Sequence, residues 1–235
     1  MKIEIKDLHK SFKKNHVLKG INLSINKCGI WAILGPNASG KTTLIKTILG
    51  MVLPDRGQIY IDNKNTIGEY DFKKAINYLP QIARFPDNLT VQELFKMIEE
   101  VRNKQGNLAP LIDRFDIDSH LKTKLSNLSG GTRQKVNLVL ALMYDNPIYI
   151  LDEPTAGLDP VARIEFKAIL TQLKKQKRLL IITTHIMSLV EELADEIVFL
   201  LEGEIRFTGN PDQLKKVNRG KNIEHSIARM LIPNN

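Results

Sequence analysis

No stretch of the 235-residue chain restricts its fold more than Gly35-Pro36-Asn37-Ala38-Ser39-Gly40-Lys41-Thr42-Thr43. The apolar run Ile30-Trp31-Ala32-Ile33-Leu34 precedes it, and Leu44-Ile45-Lys46-Thr47-Ile48-Leu49-Gly50 follows. Strand, glycine-rich loop and helix in that order are the context that a G-x-x-x-x-G-K-[ST] phosphate loop requires. Gly35 and Gly40 let the backbone curl until several N–H groups point inward at phosphate oxygens. The helix opening near Lys41 adds its positive N-terminal end. Lys41 is placed to reach the β- and γ-phosphates, and the Thr42 hydroxyl to ligate Mg²⁺. A nucleoside triphosphate is the expected ligand.

The rest of the chain reads as an α/β protein long enough to bury a sizeable core. Lys and Arg exceed Asp and Glu by eight, but the basic residues are spread along the chain rather than gathered into one run with interleaved aromatics. An anionic membrane leaflet would favour the same sign, so charge alone decides nothing; a nucleic-acid partner is not expected. Cys28 is the single cysteine, which excludes a disulfide framework and a cysteine metal cluster. The histidines at 9, 16, 120, 185 and 225 show no short metal-ligand spacing. The amino terminus is charged and alternating, unlike a secretory leader, and no apolar run approaches a membrane span. A cytoplasmic chain is expected, reaching a membrane only through a partner.

In order, Ile3, Ile5 and Leu8 alternate with charged residues as an edge strand with one wet face. Strands are predicted at 21–25, 58–62, 75–79, 147–151 and 178–183, and a hairpin at 197–207 around Glu202-Gly203. Gly50 is the expected left-handed residue closing the first helix. From Phe85 the texture becomes helical. Thr90-Val91-Gln92-Glu93 is a capping box, followed by Val91, Leu94, Phe95, Ile98 and Val101 at helical spacing. A helix after Gly131 carries Val136, Val139, Leu140 and Met143 on one face, and another spans 160–176. The expected organisation is a nucleotide-binding α/β core over 1–84 and 147–209, a helical subdomain over 85–146 and a tail over 210–235. That tail is polar and helical, with Ile227, Met230 and Leu231 as its apolar stripe.

Two further constellations carry chemistry. Ile150-Leu151-Asp152-Glu153 closes a hydrophobic strand with adjacent carboxylates. A carboxylate at a strand end beside a phosphate loop can hold Mg²⁺, and Asp152 is placed for that. Because side chains alternate along a strand, Glu153 points elsewhere, free to polarise a water. In Leu128-Ser129-Gly130-Gly131-Thr132-Arg133-Gln134, Ser129 caps the following helix. Its glycines expose backbone N–H groups at the positive end.

Together, these three runs resemble the motif series of the ATP-binding cassette (ABC) ATPases, over roughly Ile3 to Gly209. The resemblance implies a P-loop NTPase fold: a RecA-like parallel core with an antiparallel β subdomain and an inserted helical subdomain. It implies ATP and Mg²⁺ as ligands and ATP hydrolysis as the activity. By the same resemblance Phe12 stacks on adenine, and Gln81 contacts Mg²⁺ or the attacking water. Glu153 orients that water, His185 touches the γ-phosphate, and Gly157-Leu158-Asp159 lies at a dimer seam. Ser129, Gly130 and Gly131 then meet the nucleotide held by a second copy, so that two chains enclose two ATP molecules head to tail. Thr132 departs from the family's usual Gln.

The resemblance also implies a transporter subunit, peripheral on the inner face of the membrane through separate transmembrane permease chains. A groove at about 81–94 would receive their coupling helix. A soluble cassette acting on ribosomes or DNA is the alternative. It fits less well, because there is one cassette and no long insertion between Lys41 and Ser129. The short tail resembles bacterial exporter-type cassettes. The runs 128–136 and 185–207 are similar to the ATPase subunit of transporters that serve maturation of nitrous oxide reductase.

Overall fold

Alternating apolar residues at Ile3, Ile5 and Leu8 build β1 (Ile3–Phe12), which returns through a hairpin as β2 (Asn15–Ile25). A computed structural model describes residues 2–217 and 222–231. The remaining strands are β3 (Gly29–Leu34), β4 (Arg56–Ile61), β5 (Lys64–Asn65), β6 (Ile76–Leu79), β7 (Ile148–Asp152), β8 (Leu179–Thr183), β9 (Glu196–Leu201) and β10 (Glu204–Gly209). They form an antiparallel sheet ordered β2-β1-β4-β5 and a second sheet ordered β10-β9-β3-β8-β7-β6. In the second sheet β9, β3, β8, β7 and β6 run parallel, and β10 closes one edge antiparallel. This is the architecture expected of a P-loop NTPase with an antiparallel β addition.

The parallel strands are apolar on both faces, as buried parallel strands must be. Their alternation sorts side chains between two layers. Trp31 and Ile33 of β3, Ile148 and Ile150 of β7, and Leu179 and Ile181 of β8 point into one cluster. There they meet Ile5 and Leu23 of the antiparallel sheet and Leu44, Ile45 and Ile48 of α1 (Lys41–Ile48). Tyr149, Leu151, Leu180 and Ile182 point the other way, toward Phe166 of α5 (Pro160–Lys175) and the helices that follow β6. Those helices are α2 (Val91–Arg102), α3 (Ala109–Arg114) and α4 (Gly130–Leu142). Phe95, Phe115 and Val136 join the same cluster. Each fully buried side chain of this size contributes about 1.5–3 kcal/mol relative to exposure.

Several expectations need correction. β1 is not an edge strand: it pairs with β2 on one side and β4 on the other. Alternation reports which face is wet, not how many neighbours a strand has. Val101 is 78% exposed rather than part of the α2 stripe, because only Val91, Leu94 and Phe95 of that helix are buried. The helix expected after Gly131 starts at Gly130. The short α6 (Met187–Leu193) was not anticipated.

The tail is helical, as expected, in α7 (Pro211–Val217) and α8 (Ile223–Leu231). Its stripe is displaced: Ile223 and Ile227 are buried, Met230 packs against them, and Leu231 is exposed. The parts of the tail over 218–221 and 232–235 lie outside the described residues.

Candidate active site

In a parallel sheet, side chains that leave the carboxyl ends of neighbouring strands converge on one crevice. β3 ends at Leu34 and runs into the phosphate loop, β7 ends at Asp152, and β8 ends at Thr183. Adjacency in the sheet, with Ile33 opposite Thr183 and Thr183 opposite Asp152, brings the three ends together. The crevice has a volume of about 480 Å³ and is lined by the loop from Asn37 to Thr43, by Gln81, Asp152 and Glu153, and by Asn15 and Val17 of β2.

The loop conformation depends on its glycines. Gly35 has φ +153°, and a Cβ there would fall 2.1 Å from the Leu200 carbonyl oxygen and 2.7 Å from Ser39 Oγ. Gly40 has φ +108° and precedes the first residue of α1. No side chain caps α1, so the amide donors of its first turn stay directed at the crevice. Lys41 folds back over the loop, its Nζ donating to the carbonyls of Gly35 at 2.7 Å and Pro36 at 2.9 Å. Burial pushes the Lys41 ammonium below its ordinary value, and the charges of Glu153 and Asp152 oppose that shift. Ser39 Oγ is buried without a protein hydrogen-bond partner.

The carboxylates are organised by β8. Thr183 Oγ1 donates to Asp152 Oδ1 at 2.5 Å and accepts from the Glu153 N–H at 3.0 Å. The Thr42 hydroxyl donates to Asp152 Oδ2 at 3.2 Å. Thr42 and Asp152 thus present hard oxygen donors side by side, the donor type that Mg²⁺ takes, and the site fits that ion.

Glu153 does not point away from Asp152 as strand alternation predicts. β7 ends at Asp152, Glu153 adopts φ +52°, and both carboxylates face the crevice. Glu153 Oε1 lies 2.7 Å from His185 Nδ1. Burial raises the Glu153 carboxyl above its ordinary value, the charges of His185 and Lys41 lower it, and that of Asp152 raises it.

The remaining candidates lie elsewhere. Phe12 ends β1 at 49% exposure, outside the crevice lining, with Lys10 Nζ 5.4 Å from its ring centroid. Ser129 caps α4, accepting from the Thr132 N–H at 3.1 Å, and leaves Gly130 and Gly131 at the helix start. Ser129, Gly130 and Gly131 do not line the crevice either. A separate cavity of about 360 Å³ sits beside Gln81, lined by Ile82, Ala83, Arg84, Phe85, Asp87, Leu125 and Arg133.

The profile of the "ABC transporter" family matches residues 18–156, from β2 through the carboxylate pair. This chain belongs to the ABC transporter family. It is an ATP-binding ATPase domain of that family, matching ATP-binding proteins along almost its whole length. The L-cystine import ATP-binding protein TcyN of Bacillus subtilis is 32% identical, with 97% of this chain and 93% of that protein covered. ABC transporter A family member 11 of Dictyostelium discoideum is 33% identical over 96% of this chain, which spans only 28% of that relative's length. Among solved structures, an ATP-binding subunit of an ABC transporter superposes with a TM-score of 0.91 at 26% identity, covering 99% of this chain and 100% of that one.

Three residues of this ABC ATPase domain escaped the sequence reading. Asn15 and Val17 line the crevice. Their separation by two positions on one strand puts them on the same face, a usable signal once β2 is known to begin at Asn15. Thr183 positions both carboxylates, but it reads in sequence as the polar end of an apolar strand.

Proposed function

We propose that this ABC ATPase domain closes head to tail with a second copy around two Mg-ATP. In this reading it thereby powers transport through separate transmembrane subunits on the inner face of a membrane. The observation that carries the hydrolytic part is the Glu153–His185 contact at 2.7 Å, beside a phosphate loop whose lysine faces the same carboxylates.

Lys41 exchanges its two loop carbonyls for phosphate oxygens, and the loop amides and Ser39 Oγ supply further donors. Thr42 and Asp152 would hold Mg²⁺, with Gln81 nearby. That ion neutralises charge on the β- and γ-oxygens when bound. Glu153 is the general base that orients and deprotonates water, and its raised pKa suits that task. His185 holds the Glu153 carboxylate through Nδ1, which would leave its other ring nitrogen for the phosphate.

Phe12 offers a ring face to adenine, with Asn15 and Val17 beneath the base. The Ser129-Gly130-Gly131 helix start contributes its amides to the nucleotide on the opposite copy, a role favoured by their lying outside the lining of their own chain's crevice. The cavity beside Gln81, with exposed Ile82 and a rim of Arg84 and Arg133, receives the permease. No helix among the described residues is long and apolar enough to cross a membrane, in keeping with separate membrane chains.

The test is Glu153→Gln. The variant is expected to bind ATP with wild-type affinity and to lose about 10²–10⁴-fold in kcat. Wild-type turnover by Glu153→Gln removes Glu153 from the role of base.

A further inference from the structure

His185 sits between two anchored segments. On one side Thr184 is buried, and its Oγ1 accepts from the Ile186 N–H at 3.1 Å. On the other, α6 begins at Met187. The imidazole itself is 68% exposed, with its Nδ1 against Glu153. Where the ring stands therefore depends on where α6 is held.

α6 is gripped from two directions. From α5, Lys174 Nζ donates to the Leu193 carbonyl at 3.1 Å and pairs with Asp195 at 2.8 Å, and Lys167 pairs with Glu192. From the tail, Leu214, Ile223 and Ile227 form one buried cluster with Val190, and Met187 and Ala194 pack against it. The Ile223 N–H at the start of α8 donates to Glu191 Oε1 at 2.8 Å. That amide is one of the helix-start donors without an intrahelical acceptor, and the Glu191 carboxylate lies at the positive end of α8. The last described helix of the chain is thus latched onto the element that follows His185.

We propose that α8 is a positioning element for His185. By holding Val190 and Glu191 it fixes α6, and with it the place where the imidazole meets Glu153. Glu191, Ile223 and Ile227 are the positioning residues. The proposal rests on the hydrolytic reading of Glu153 and His185 given above.

Glu191→Ala removes the acceptor, whereas Glu191→Gln keeps a carbonyl oxygen at the same reach. In the nucleotide-free full chain labelled at histidine nitrogen, the His185 ring resonance is the one absent from His185→Ala. Glu191→Ala is expected to shift or broaden it, and Glu191→Gln to restore it. In ATPase assays Glu191→Ala is expected to lower kcat by about three- to tenfold with KM for ATP unchanged. Glu191→Gln should recover the rate, and Glu191→Ala should add no loss in a His185→Ala background. An unmoved His185 resonance in Glu191→Ala, or equal losses in both backgrounds, would overturn the proposal. A wild-type chain without ATPase activity counts against the hydrolytic reading instead, and the resonance measurement still decides the positioning one.

Discussion

Glu153 carries two opposed influences within one side chain. Burial favours its protonated form, while His185 and Lys41 favour the carboxylate. A general base must be deprotonated to work, so in the proposed mechanism activity is expected to fall as pH drops through the Glu153 pKa. Removing His185 removes a charge that lowers that pKa. His185→Ala should therefore move the acid limb of its residual pH–rate profile to higher pH than in wild type. An acid limb that stays in place or moves down would show that His185 does not govern Glu153.

At this scale the sequence was informative where a motif fixes the backbone. The spacing of Gly35, Gly40, Lys41 and Thr42 is enough to describe the phosphate loop found in the structure. It was misleading for Glu153, because alternation describes a strand, and the backbone leaves the strand one residue earlier. Glu153 points into the crevice because of a left-handed conformation at a non-glycine residue, which composition does not reveal.

Among the elements, α2 shows how local chemistry fixes a boundary. Thr90 Oγ1 accepts from the Glu93 N–H at 3.3 Å, and the Glu93 carboxylate accepts from the Thr90 N–H at 2.8 Å. Each side chain satisfies an amide that would otherwise lack a partner at the helix start. Thr90→Ala should cost about 1 kcal/mol, lowering Tm by roughly 2–4 °C in a chain of this size. Calorimetry checks this, and an unchanged Tm would mean that packing of Leu94 and Phe95 alone sets the boundary. The capping box could be read directly from four residues, and α2 begins where it says. α6 could not, since its seven residues carry no capping side chain and are held by α5 and α8 rather than by their own periodicity. Nor could the central place of β1, because partners on both sides come from distant segments.

For the molecule as a whole, the placement of the glycine-rich helix start matters most. Ser129, Gly130 and Gly131 lie outside the crevice built by their own chain. In the proposed assembly each of two crevices is finished by the other copy. Glu153→Gln, expected to hold ATP while consuming it far more slowly, should double its mass in solution when ATP and Mg²⁺ are added. Adding Ser129→Arg to that variant should keep it monomeric while nucleotide still binds. Light scattering after size exclusion checks both, and a Glu153→Gln chain that stays monomeric with bound nucleotide would count against the paired assembly.

One bond across that arrangement gives it a further property. Gln134 Nε2, in α4, donates at 3.0 Å to the carbonyl of Pro154, the residue directly after Glu153. In the proposed pair, the segment offered to a neighbour's nucleotide would thereby be fastened to the segment that activates water against the chain's own. Two ATP molecules in such a pair would not be spent independently, because whatever disturbs one water-activating turn pulls on the finger reaching across to the other.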